Sequence, residues 1–168
     1  ISLKNNDAQI IGNVSFNSNG SLDFPNNQTE RLQIDDIGPN NSFAFGTGNF
    51  SIELWIYPTS FSNDIELFTI GNDSIFSLKS AASTGEIFFT GSGFSTQGNI
   101  AGWNLTLNEW NSIIFQRNGT TAECYLNGVL IGTQASFSID VPGEELVFIR
   151  NGSDGNFAEL NLRVVKVY

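Results

Sequence analysis

No histidine occurs among the 168 residues. Without imidazole there is no ordinary general base, no Ser–His or Cys–His dyad and no histidine-bound zinc. Paired carboxylates are the other route to acid–base work, because alternate acids along one strand share a face and can flank a glycosidic bond. The acids here are not spaced that way. Glu144-Glu145 and Asp35-Asp36 are sequential and point to opposite faces of a strand, while Glu53 and Glu66 stand alone. No Gly-Lys-Ser/Thr phosphate loop is present, and Gly91-Ser92-Gly93 reads as a flexible loop. Cys124 is the single cysteine. Its neighbours by alternation, Ala122 and Leu126, are apolar, so the thiol is expected to face a core as a small hydrophobe. A lone cysteine leaves the redox compartment open. These residue types predict a protein that is not an enzyme.

Binding chemistry is better represented. Trp103 lies in the Gly-rich stretch from Gly98 to Asn104, and Asn99 and Asn104 sit on either side of it. An exposed indole can stack on the C–H face of a pyranose, and side-chain amides can bond its hydroxyls. The alternative is that Trp103 caps the core from a loop. Both readings stand at this level. Asn-x-Ser/Thr sequons occur at Asn13, Asn19, Asn27, Asn40, Asn49, Asn72, Asn104, Asn118 and Asn151. In a eukaryotic secretory host they would mark surface glycosylation; in a phage or bacterial protein they carry no such meaning.

Charge narrows the partners. Seven Lys and Arg against 17 Asp and Glu give a net charge of −10, with no basic cluster. Phosphate backbones and anionic lipids are bound by clustered cations, so neither nucleic acid nor a lipid surface is an expected partner. The acidic balance either keeps a β-rich protein soluble and its edges apart or collects Ca²⁺. No run of 18 apolar residues and no basic, apolar leader is present, so membrane insertion is not expected. Ile1 in place of Met suggests a processed product, a fragment or a domain cut from a longer chain.

The elements that position these groups are strands. Phe50, Ile52, Leu54 and Ile56 alternate with Ser51, Glu53, Trp55 and Tyr57, a period of two with one wholly apolar face. Pro58 is expected to end that strand, because it has no N–H to give a ladder. Asn127-Gly128 is a type I′ hairpin signal, since both central residues of that turn need positive φ. Further strands are expected over 65–70, 74–79, 86–90, 110–117, 121–126, 129–134, 145–150 and 157–167, with turn-rich stretches at 13–21 and 25–30 and a long Gly-rich connection over 91–104. Residues 1–10 read as a lead-in strand or linker, and 11–168 as one domain. The length suits a single core. The fold class is all-β, a two-layer antiparallel jelly-roll sandwich of roughly a dozen strands.

Several of these blocks resemble the laminin-G-like branch of the concanavalin A-like lectin/glucanase superfamily. Phe50-Ser51-Ile52-Glu53-Leu54-Trp55-Ile56-Tyr57-Pro58 is similar to Phe-Thr-Ile-Glu-x-Trp-Val-x-Pro. Leu107-Asn108-Glu109-Trp110-Asn111-Ser112 followed by the turn at Arg117-Asn118-Gly119 is similar to Leu-x-x-Trp-His-His with its Arg-x-Gly turn. Leu126-Asn127-Gly128 and Glu159-Leu160-Asn161-Leu162 resemble the hairpin and closing strand, and Ser21-Leu22-Asp23-Phe24 the entry strand. Tyr57-Pro58-Thr59-Ser60 looks most like copies in phage and bacterial surface proteins. The resemblance covers residues 20 to 168. It implies a concanavalin A-like sandwich, with Trp55 and Trp110 at core positions. It also implies a Ca²⁺ site built by Asn26, Glu30 and Glu159 with a backbone carbonyl nearby. The chain departs from the pattern at Asn111 and Ser112 for the paired histidines, at Ala158 for the closing Asp, and at Pro25-Asn26 for the entry Asp-Gly.

The expectation is a non-catalytic recognition or adhesion module. Its ligand is a carbohydrate bound at Trp103, Asn99 and Asn104, and it is displayed on a virion appendage, a cell surface or in the extracellular space. The alternative is a structural or decoration domain whose partners are protein subunits.

Overall fold

The computed structural model describes residues 8–25, 30–35, 43–62, 64–71, 76–90, 98–141, 145–151 and 159–168, without the side chains of 98–102 and 151. They form fourteen strands and no helix. In chain order these are β1 Ala8–Ile11, β2 Ser15–Phe16, β3 Leu22–Phe24, β4 Arg31–Ile34, β5 Phe50–Ser60, β6 Ile65–Ile70 and β7 Phe76–Ser80. There follow β8 Glu86–Thr90, β9 Gly98–Asn104, β10 Asn111–Asn118, β11 Thr121–Leu126, β12 Val129–Gln134, β13 Leu146–Asn151 and β14 Glu159–Val167. Two seven-stranded sheets result, ordered β1-β4-β13-β6-β7-β8-β9 and β12-β11-β10-β5-β14-β3-β2. Every strand pair within them is antiparallel. The all-β, two-layer reading of the sequence is therefore correct.

The core lies between the sheets, and phenylalanine builds much of it. Phe76 of the first sheet packs on Phe115 of the second at 4.7 Å between ring centres, and Phe68, Phe89 and Phe137 lie within 6.2 Å of Phe76. Each such ring contributes about 1.5–3 kcal/mol when fully buried. Phe50, Ile52, Leu54 and Ile56 of β5 are buried, as their alternation predicts. Cys124 is buried between the sheets, and that burial pushes its thiol up to about 12.

Local chemistry explains the turns. Asn127 and Gly128 have φ of 50° and 80°, as a type I′ turn requires. Asn127 also ties the hairpin to β10, its side-chain oxygen accepting from the Ser112 amide at 2.8 Å. Asn111, where the resembled family has histidine, is fully buried. It accepts from the Thr106 amide and donates to the Thr106 and Glu109 carbonyls at 2.8–2.9 Å, which folds the chain into β10.

Two expectations change. Pro58 does not end β5, which runs on to Ser60. β10 has no paired residue beyond Asn111, opposite Ile56, so on that side Pro58 has no ladder partner to disappoint. On the other side it pairs with Leu160 beside a register shift, a place where proline is tolerated. The Gly-rich connection over 91–104 contains β9, one of the two edge strands of the first sheet. Within the expected lead-in segment, Ala8–Ile11 forms β1 and pairs with β4.

Candidate ligand-binding site

β9 holds the expected sugar-binding residues, and its irregularity decides how they sit. Asn104 pairs with Glu86 and Asn99 with Phe88. Two steps along β8 thus match five along β9, so three extra residues bulge at the sheet edge. Bulges re-aim side chains and stop further pairing. Trp103 lies in this bulge, 41% exposed, and so does not cap the core. Asn104 is exposed beside it. Leu105, the next residue, turns inward and is buried, its amide donating to the Gly85 carbonyl at 2.9 Å. Asn99 is on the same strand, with its side chain outside the described residues.

The residues expected to hold Ca²⁺ divide. Asn26 lies outside the described residues. Glu30 is 3% exposed, and neither carboxylate oxygen has a hydrogen-bond partner. Burial pushes its carboxyl above the usual range; the Asn13 backbone N–H, near the carboxylate but without hydrogen-bond geometry, offsets part of this, and the Asp23 charge adds to it. Its side chain presses on Gly12, where a Cβ would sit 2.7 Å from Glu30 Cγ. Glu159 is exposed at the start of β14, one residue from the Leu160–Phe24 pair and so level with the start of the entry loop. Among the described residues no three acidic or thiol side chains gather as a metal cluster. A buried carboxylate with unused lone pairs is a donor that suits a hard cation. Glu30 meets that requirement, and the remaining ligands would have to come from the loop and from carbonyl oxygens.

Sequence reasoning misplaced two tryptophans. Trp55 is 38% exposed on the outward face of β5, not in the core. The residues next to it in sequence, Leu54 and Ile56, take the core side. Trp110 is half-buried, its ring 5.6 Å from Tyr57 and under the Arg163 guanidinium at 5.7 Å. The signal was present, because Trp55 shares its alternation phase with Ser51, Glu53 and Tyr57.

Residues 26–168 match the laminin-G-like profile of the concanavalin A-like lectin/glucanases superfamily. The chain belongs to this family. A comparison with curated proteins finds no match. Solved structures of similar fold include the botulinum neurotoxin serotype G binding domain, at 18% identity and a TM-score of 0.69, covering 99% of this chain and 44% of the other. A type C botulinum neurotoxin, whose cell entry depends on two ganglioside molecules, aligns at 16% identity and 0.70, covering 98% and 43%. The botulinum neurotoxin DC binding domain bound to rat synaptotagmin II aligns at 17% and 0.67, covering 98% and 43%. The chain spans less than half the length of these neighbours, and at such identities the likeness is one of fold.

Proposed function

We propose that this domain is a non-catalytic recognition module for carbohydrate, displayed on a cell surface, in the extracellular space or on a virion appendage. The observation that carries this reading is Trp103, an exposed indole in a bulge on an edge strand of a sandwich whose sequence has no histidine. Trp103 lies outside the buried core, and part of its indole is exposed next to the exposed Asn104, which suits stacking on a sugar ring. The neighbours' own partners, gangliosides, a sialylated glycan and synaptotagmin, are compatible with this reading. Ca²⁺ belongs to the proposal, with Glu30 as its buried carboxylate and Asn26 and Glu159 completing the set.

The test is a glycan array with and without Ca²⁺, followed by titration of the best hit against Trp103→Ala. We expect selective hits, and binding to the variant weakened by about tenfold or more with its melting temperature within a few degrees of the parent. An array blank under both conditions overturns the reading. It would favour protein partners instead, for which the edge strand β12 is suited: its Val129 and Leu130 are 49% and 46% exposed, and an unpaired strand edge can accept another chain.

A further inference from the structure

The fifteen phenylalanines and the six tryptophans and tyrosines are used differently. Most of the described phenylalanines fill the core, whereas five of the six aromatics with a polar atom, Trp55, Tyr57, Trp110, Tyr125 and Tyr168, lie on the outward side of the second sheet. Among the described residues, the middle of the first sheet has no such surface. Its outward positions Thr69, Ser77 and Val147 are buried, and the Glu66–Lys79 ion pair lies among them.

Register arranges the second sheet's outward residues in rows. Tyr125, Ile114, Glu53 and Lys166 form one row across β11, β10, β5 and β14. Glu123, Gln116, Ser51 and Tyr168 form the next. On the other side Trp55 stands between Ser112 and Val164, so small side chains flank the indole. Four strands span about 14 Å, the run of a few linked sugar rings.

The polar groups are held in place before any ligand arrives. Glu53 accepts from Trp55 Nε1 with one oxygen and from Lys166 Nζ with the other, both at 3.0 Å. Glu123 Oε2 accepts from Gln116 Nε2 at 2.6 Å and from the Tyr125 hydroxyl at 3.0 Å. These bonds fix the indole and the phenol and cut the ordering cost that a ligand would otherwise meet. The rows run into a groove of about 350 Å³ whose lining includes Ser51, Gln116, Asn118 and Tyr168.

We propose that this face, from Trp55 to the groove beside Tyr168, binds a neutral oligosaccharide laid across β11, β10, β5 and β14. It is a second surface, distinct from Trp103 on the other sheet, and it rests on the reading of the domain as a carbohydrate module. The indole supplies the stacking platform. Glu123 Oε1, the Gln116 carbonyl and the Ser51 and Ser112 hydroxyls supply acceptors for sugar hydroxyls. On the face itself Lys166 and Arg163 balance Glu53 and Glu123, so its polar groups suit an uncharged ligand, and the chain's net charge of −10 disfavours acidic sugars at longer range.

The experiment arrays neutral oligosaccharides beside their sialylated or sulfated counterparts and titrates the best neutral hit against Trp55→Ala, Glu123→Gln and Trp103→Ala. Amide NMR shifts on the parent protein serve as a readout that needs no variant. The expected result is a neutral hit that shifts amides of β5, β10, β11 and β14, weakens about thirtyfold in Trp55→Ala and several-fold in Glu123→Gln. Shifts confined to β9, with binding lost only in Trp103→Ala, overturn this proposal and leave the carbohydrate reading standing. Hits restricted to acidic sugars do the same. A blank array overturns both.

Discussion

Glu30 is a cost at neutral pH. Its carboxyl is buried without a hydrogen-bond partner, and its pKa is raised above the ordinary 4.5, chiefly by burial. The folded state therefore holds this proton more tightly than the unfolded state. Above about 4.5 the folded chain binds more protons than the unfolded one, so stability falls as pH rises through the raised value and stays lower beyond it. Glu30→Gln keeps the shape and removes the charge. We expect it to stabilise the Ca²⁺-free domain at pH 7 by about 1–3 kcal/mol, with little change at pH 4. Melting curves across pH check this. Millimolar Ca²⁺ should raise the parent's melting temperature and leave the variant's unchanged. A variant less stable than the parent at pH 7 would mean that the carboxylate has an ionic partner in solution. The location of Glu30 in the entry region was legible in the sequence, by resemblance; its burial was not, because burial depends on β1 and Gly12 folding across it. Trp55 shows the opposite failure. Alternation placed it outward, and the family likeness drew it wrongly into the core.

At the scale of elements, the sequence was readable where a strand buries one face. β5, β10 and β11 carry strict alternation, and their limits fell within a residue or two of expectation. Edge strands lack that signal. β1 is almost wholly exposed, β2 is two residues long with Phe16 74% exposed, and β9 is Gly-rich, so no periodicity marks them. Connections between elements depend on groups that no local pattern reveals. Arg117 is 3% exposed. Its guanidinium donates to the carbonyls of Gly119, Gly46 and Ile139 and lies 5.4 Å over the Phe137 ring. One side chain thus fastens the end of β10 to the approach to β5 and to the 137–141 segment. Arg117→Met fills similar space but leaves the Gly119 and Ile139 carbonyls without these donors. We expect a loss of about 3 kcal/mol or more, read as a lower urea midpoint with an unchanged slope. A loss under about 1 kcal/mol would mean that water replaces those bonds readily.

The whole molecule has one core and closes late in the chain. β14 inserts between β5 and β3, so its pairs join residues about 100 to 140 positions apart. Rings from both sheets interlock through Phe76 and Phe115, so neither sheet has a core of its own. Such a sandwich should unfold as a single cooperative unit and fold slowly, because its contacts are non-local. Cys124 reports on this directly. It lies in β11, one strand from the edge, 1% exposed, with its thiol pushed up to about 12 by burial. A thiol reagent therefore needs both access and a thiolate, and the native fold withholds both. If the molecule is one unit, labelling of Cys124 in native buffer requires global opening. The free energy from the labelling rate should then equal that from urea unfolding within about 1 kcal/mol. The alternative is that the β11–β12 hairpin detaches by itself. Labelling would then be faster than global unfolding predicts and nearly independent of urea at low concentration. Arg117→Met separates the two cases further: a global route speeds labelling by the full loss of stability, whereas a hairpin route speeds it only by the part Arg117 contributes to holding β11 in place.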